Sequence, residues 1–209
     1  MKHQPFALKD PLEVQQRTLF LKEPHQQPLR DYVEALRLER GSAYQIPHFD
    51  PLDGGTEARV LFLLEAPGPK ALQTGFISRD NPDLTARNLG ELLEGVGLAR
   101  VDTLLWNTVP WYLSSEDGRF RAPNSRDIVD ARAATEQLLR LLPQLEHIVL
   151  VGAHAQKSKS WLEVLGRYTF WAMGHPSPVN YAPRPQAREA AREMLEQLAN
   201  VLLNHSRPS

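Results

Sequence analysis

The 209-residue chain contains no cysteine. That removes disulfides, thiolate nucleophiles and cysteine-ligated clusters, and it fits a reducing compartment. Long apolar runs are missing as well. No segment is sufficiently long and apolar to span a bilayer, and Met1-Lys2-His3-Gln4-Pro5 lacks the apolar core of a signal peptide, so a cytoplasmic protein with no membrane partner is expected. There is no basic excess: 24 Lys and Arg stand against 25 Asp and Glu, for a net charge of −1. This argues against a broad, nonspecific nucleic-acid binder while leaving room for a local basic face. Lys70, Arg79, Arg87, Arg184 and Arg188 are candidates for such a face, and each reads equally well as ordinary solvated surface. Phosphate-loop glycines of the Walker or dinucleotide type are absent, as is a Gly-x-Ser-x-Gly elbow. No His-x-x-x-His pair occurs among the seven histidines, so no metal is expected.

What the chain does have is proline, 17 in all, with six in the first fifty-five residues (Pro5, Pro11, Pro24, Pro28, Pro47, Pro51). These interrupt any long periodic element. Between them Leu29, Tyr32, Val33 and Leu36 share one helical face. Residues 1–55 read as an N-terminal helical extension packed on a second unit, 56–209. In that unit strand-like runs alternate with helices. The strands are Arg59–Leu64, Thr103–Thr108, His147–Val151 and Tyr168–Met173. The helices carry Leu89, Leu92, Leu93 and Val96; then Ile128 to Leu142, capped by Asn124 or Ser125; then Gln156–Leu165; then about Gln186–Leu203. Near-continuous apolar strands between helices predict an α/β fold: a three-layer α/β/α unit with a central four-stranded parallel sheet. A chain of this length buries roughly 70% of its unfolded surface and needs no metal or disulfide to fold.

Two polar loops follow strand-like runs: Glu65-Ala66-Pro67-Gly68-Pro69 and Gly174-His175-Pro176-Ser177-Pro178. In open α/β sheets ligands bind outside the carboxyl ends of the strands, so both loops can face one crevice. His175, stiffened by two prolines, can donate a hydrogen bond to charge developing on a leaving group; it can equally be satisfied by nearby backbone. Asn107, at the end of an apolar strand, can read a pyrimidine edge or tie two loops together. Glu65 can orient a water or stabilise a cationic sugar, or simply brace its loop. Phe76 can stack on a base, or belong to the core.

In order along the chain, Leu64-Glu65-Ala66-Pro67-Gly68, Phe76, Asn107 and Gly174-His175-Pro176-Ser177-Pro178 resemble the uracil-DNA glycosylase superfamily, over roughly residues 58–200. The first turn looks most like the Glu-Ala-Pro-Gly branch that holds an iron–sulfur cluster; with no cysteine, this chain would be a cluster-free relative that needs no cofactor. The resemblance implies base excision from DNA, through hydrolysis of the N-glycosidic bond of uracil or another deaminated base. His175 would stabilise the departing base anion, Phe76 would stack on the flipped base, and Asn107 would read its edge. Ala66, Pro67 and Gly68 would hold the water-bearing turn, with Glu65 its carboxylate. Pro176, Ser177 and Pro178 would lie against the DNA backbone, with Val179 as the minor-groove wedge. The family's first motif usually begins with glycine where this chain has Leu64, and its most efficient members carry an aspartate where this chain has Ala66. A weakly catalytic nucleic-acid-binding relative, and an α/β enzyme acting on a free nucleoside, are the competing expectations.

Overall fold

The computed structural model describes residues 4–204; Met1–His3, part of the N-terminal stretch considered above, lie outside the described residues. The chain opens with helices α1 (Pro11–Phe20) and α2 (Gln27–Arg40) and strand β1 (His48–Phe49). Next come β2 (Val60–Leu64), α3 (Pro69–Thr74), β3 (Phe76–Ile77), α4 (Leu84–Gly95) and β4 (Thr103–Asn107). The second half holds α5 (Ser125–Arg140), β5 (His147–Val151), α6 (Ala153–Gln156), α7 (Lys159–Leu162), β6 (Thr169–Met173), α8 (Pro178–Tyr181) and α9 (Pro185–Asn204).

Strands β2, β4, β5 and β6 form the expected parallel sheet, in the order β4-β2-β5-β6, flanked by helices. The two central strands are wholly apolar apart from His147, and nearly all of their residues are buried. That is the pattern of a sheet covered on both faces. In the register between β2 and β4, Leu64 lies opposite Asn107. Pairing continues past the strand ends: Thr108 N–H donates to the Leu64 carbonyl at 2.8 Å, and Val109 N–H to the Glu65 carbonyl at 3.0 Å. Helix α5 begins where a capping box predicts, with Asn124 accepting from the Arg126 and Asp127 N–H groups.

The N-terminal segment shares the sheet's hydrophobic core. Leu29, Tyr32, Val33 and Leu36 are all buried in it. Phe49 stacks on Trp106 of β4 at 3.7 Å between ring centroids, and the Tyr32 hydroxyl donates to the Ala134 carbonyl at 2.9 Å. A buried ionic cluster secures the same region. Arg17 of α1 pairs with Asp50 and, at 2.7 Å, with Asp80. Arg100 reaches Asp50 at 2.6 Å, Asp53 at 2.9 Å and Asp80 at 2.7 Å. Arg79 lies 3.3 Å from Asp53 and donates to Thr103 Oγ1 at 2.6 Å. Three guanidiniums thus face three carboxylates, so the cluster buries no net charge. Arg79 therefore serves the interior and not a basic face.

Two expectations need correction. The helix foreseen over 156–165 is broken into α6, α7 and a 3-10 turn, with Ser158 fully buried between the first two. The long loop after β2 holds α3 and the two-residue β3, which pairs in parallel with β1.

Candidate active site

The aligned ends of β2 and β4 place the turn after Leu64 beside Asn107. Pro69 takes the first position of α3, where its missing N–H costs nothing, so the chain turns sharply over residues 65–68. A cavity of about 340 Å³ opens there. It is lined by Glu65, Ala66, Pro67 and Gly68 from the turn, Asn107 from β4, and His175 from the loop after β6. Six of the sequence-derived site residues thus converge on one space.

Each polar member is held differently. Glu65 Oε1 accepts the backbone N–H of His154 at 3.1 Å. It passes so close to Gly152 that a Cβ there would lie 2.4 Å from the oxygen, and Gly152 has φ +94. Only glycine fits both constraints. The loop-bracing reading of Glu65 thus describes one of its oxygens, while the residue still lines the cavity. Asn107 is 3% exposed, and its Nδ2 is buried without a hydrogen-bond partner. An unmade buried bond costs about 1–3 kcal/mol. This donor is therefore unsatisfied in a place where a ligand fits.

His175 is half-buried. Burial holds its imidazole below the ordinary histidine value, against the upward pull of Glu65 and Asp83. It is neutral at pH 7, with a ring N–H to donate. Its loop is fixed by two amides: Asn180 Nδ2 donates to the His175 carbonyl at 2.9 Å, and Asn88 Nδ2 to the Pro176 carbonyl at 2.8 Å. A Cβ on Gly174 would meet Asn180 Nδ2 at 2.8 Å, so the small residue lets that brace close.

The structure also departs from the expected site. Phe76 does not line the cavity: it is 2% exposed and packs with Leu8 and Leu21. Strand alternation explains this, because Ile77, its neighbour in β3, takes the face toward the cavity. The aromatic ring lining the cavity is that of Phe120, 42% exposed in a turn closed by the Ser114–Phe120 bridge. Asp83 is a second carboxylate in the wall; it caps α4 by accepting the Ala86 N–H at 2.9 Å, and burial raises its pKa. Neither was evident in sequence, although an aspartate before an apolar helical run is a capping signal. Pro176, Ser177, Pro178 and Val179 lie outside the lining; Pro176 is buried, Ser177 precedes α8, Pro178 opens it, and Val179 is 86% exposed. Among the described residues no group of three or more His, Cys, Asp or Glu side chains is placed to hold a metal ion, and no helix is long and apolar enough to cross a membrane.

Comparison with known proteins bears on the fold and the family. The fold is similar to that of wild-type SMUG2 from Pedobacter heparinus, with a TM-score of 0.54 and 14% identity over 89% of this chain and 87% of that one. Wild-type UNG from Nitratifractor salsuginis aligns at a TM-score of 0.49 and 18% identity, over 90% and 98% of the two chains. A search of curated proteins finds no match. The family model of the uracil DNA glycosylase superfamily matches residues 51–199, most of the chain, and the protein belongs to that superfamily.

Proposed function

We propose that this protein is a monofunctional DNA glycosylase that hydrolyses the N-glycosidic bond of uracil or another deaminated base. The observation that carries the reading is the buried, unpartnered Nδ2 of Asn107 in the same cavity as a neutral His175 and the carboxylate Glu65. A base reaches such a cavity only after leaving the helical stack, at a cost of a few kcal/mol. Once there, Asn107 Nδ2 donates to a ring carbonyl, and its Oδ1 accepts a ring N–H. Cleavage places negative charge on the base and positive charge on the sugar. The His175 N–H stabilises the first, and Glu65 stabilises the second and orients the attacking water. Phe120, rather than Phe76, is the ring positioned to stack on the base. Residues 176–178 would meet the backbone of the DNA, and exposed Val179 would occupy the gap the base leaves. The short valine side chain favours mispaired or single-stranded substrates.

The test is release of free uracil from a labelled oligonucleotide, both single-stranded and opposite guanine. His175→Ala is expected to lower the rate on the order of a hundredfold or more while remaining folded. Wild-type protein that releases neither uracil, hypoxanthine nor xanthine would refute the proposal. Ala66, which supplies no second carboxylate, favours as the second reading a catalytically weak or inactive nucleic-acid-binding member of the superfamily, and binding of uracil-containing DNA with no or only trace base release would establish it. Asn107→Asp is expected to shift discrimination toward cytosine; an unchanged preference removes Asn107 from base reading.

A further inference from the structure

A second cavity, of about 590 Å³, lies beside the first and shares Lys70 with it. Its apolar wall is formed by Phe6, Leu8, Pro11 and Val14 from the N-terminal segment and by Pro82 from the loop before α4. The charged groups in its lining are Lys9 and Lys70, with no carboxylate among them. Lys70 donates to the neutral Gln73 at 3.0 Å, and the carboxylate that feels its charge, Asp83, stands in the wall of the first cavity. A lining of two cations and no anion, in a chain of net charge −1, is complementary to a phosphate-bearing ligand.

The wall is built firmly. The Leu8 N–H donates to the Asp80 carbonyl at 3.2 Å, and Arg17 locks α1 into the ionic cluster through Asp50 and Asp80. Phe6 has φ 65, the one positive φ at a non-glycine residue among those described, and the Arg87 guanidinium lies 5.7 Å from its ring centroid. A conformation of this kind persists only where surrounding structure holds it, and such positions cluster at ligand sites. An aromatic ring and apolar side chains beside two cations make a platform for a base and its phosphate.

We infer that this cavity takes a nucleotide adjoining the extruded one on the same DNA strand, its base against Phe6, Pro11 and Val14 and its phosphate between Lys9 and Lys70. The inference rests on the glycosylase reading for the identity of the strand. In this arrangement Lys70 sits at the junction, so the path of the backbone runs from one cavity into the other. The N-terminal helices then belong to the recognition surface.

The experiment is fluorescence anisotropy with labelled single strands carrying a tetrahydrofuran abasic analogue. The strands have flanks on both sides, on the 5′ side only, or on the 3′ side only. Removing one particular flank is expected to weaken wild-type binding on the order of tenfold. Val14→Trp, which fills the cavity, should weaken the doubly flanked strand by a similar factor and abolish the dependence on that flank. Lys9→Glu, at an exposed position that leaves folding intact, should do the same and reduce the salt slope by about one phosphate contact. Affinity and flank dependence unchanged in both variants, no binding by wild type, or equally tight binding of thymidine monophosphate alone would each overturn the inference. Release of uracil, hypoxanthine and xanthine is read separately. Intact flank dependence without release refutes the glycosylase reading and leaves the cavity assigned, whereas release with flank-independent binding overturns the cavity alone.

Discussion

Asp50, Asp80 and Arg100 stand in a region where each buried charge faces an opposite charge, whereas Asn107 holds a buried amide nitrogen with no hydrogen-bond partner. The two regions touch through Ser78, which bonds Asp50 and also lines the active-site cavity. Their contrast separates polar groups used for construction from polar groups kept for a ligand. In the first, removing one member leaves its partners as uncompensated buried charges. In the second, removing the member relieves an unmet hydrogen bond. Polarity in the interior is thus ambiguous until its partners are counted.

The largest effect should come from breaking the paired region. Arg100→Met strips three carboxylates of a partner and is expected to cost about 3–5 kcal/mol in a denaturant titration. A cost below about 1 kcal/mol would mean the cluster is effectively solvated, and the contrast would fail. The opposite sign is expected at the other region. Asn107→Leu, of similar shape, should leave stability within about 1 kcal/mol of wild type or raise it, because an orphaned donor disappears. The same variant should lose selective base release, and a large loss of stability would show that Asn107 has a structural partner. An effect confined to acid pH sharpens the comparison at its margin, His48. Burial and the Arg37 guanidinium push its imidazole down to about 4. The unfolded chain, with a value near 6.5, takes up that proton first, so stability falls as pH drops from about 6.5 toward 4. Urea midpoints across this window should fall more steeply for wild type than for His48→Gln, which cannot titrate.

Much of this was legible in sequence where a signal is local. The four sheet strands announce themselves as apolar runs, α5 by its cap at Asn124, and α2 by the face Leu29, Tyr32, Val33 and Leu36. His175, Glu65 and Asn107 were readable because each lies at or just past the end of such a run, where open sheets bind ligands. Helix α1 was missed although Asp10 caps it and Pro11 opens it, both recognisable start signals. What no local pattern reveals is pairing at a distance. Arg17 finds its partners 33 and 63 residues away, and Arg79, apparently a surface cation, is drawn inward by Asp53. Phe76 failed for a similar reason. Its side depends on the parity of a two-residue strand that exists only because β1 pairs with it, so the ring fell to the N-terminal helices and Phe120 entered the cavity instead.

The register that sets Leu64 opposite Asn107 makes the spacing of these two positions a property of the sheet and not of the chain between them. Everything from α3 to the turn before β4 is a detour whose length and composition leave that spacing unchanged. Changes of length in the exposed parts of the detour are therefore compatible with an unaltered Leu64–Asn107 spacing, whereas its residues that reach back, such as Asp83 in the cavity wall and Asn88 on the His175 loop, are held in place. A slip of a single residue in the strands is not compatible with it, since it turns Asn107 to the other face. Drift in such a family should accordingly concentrate in the crossovers, and a shared fold can outlast sequence likeness down to the 14% identity seen here.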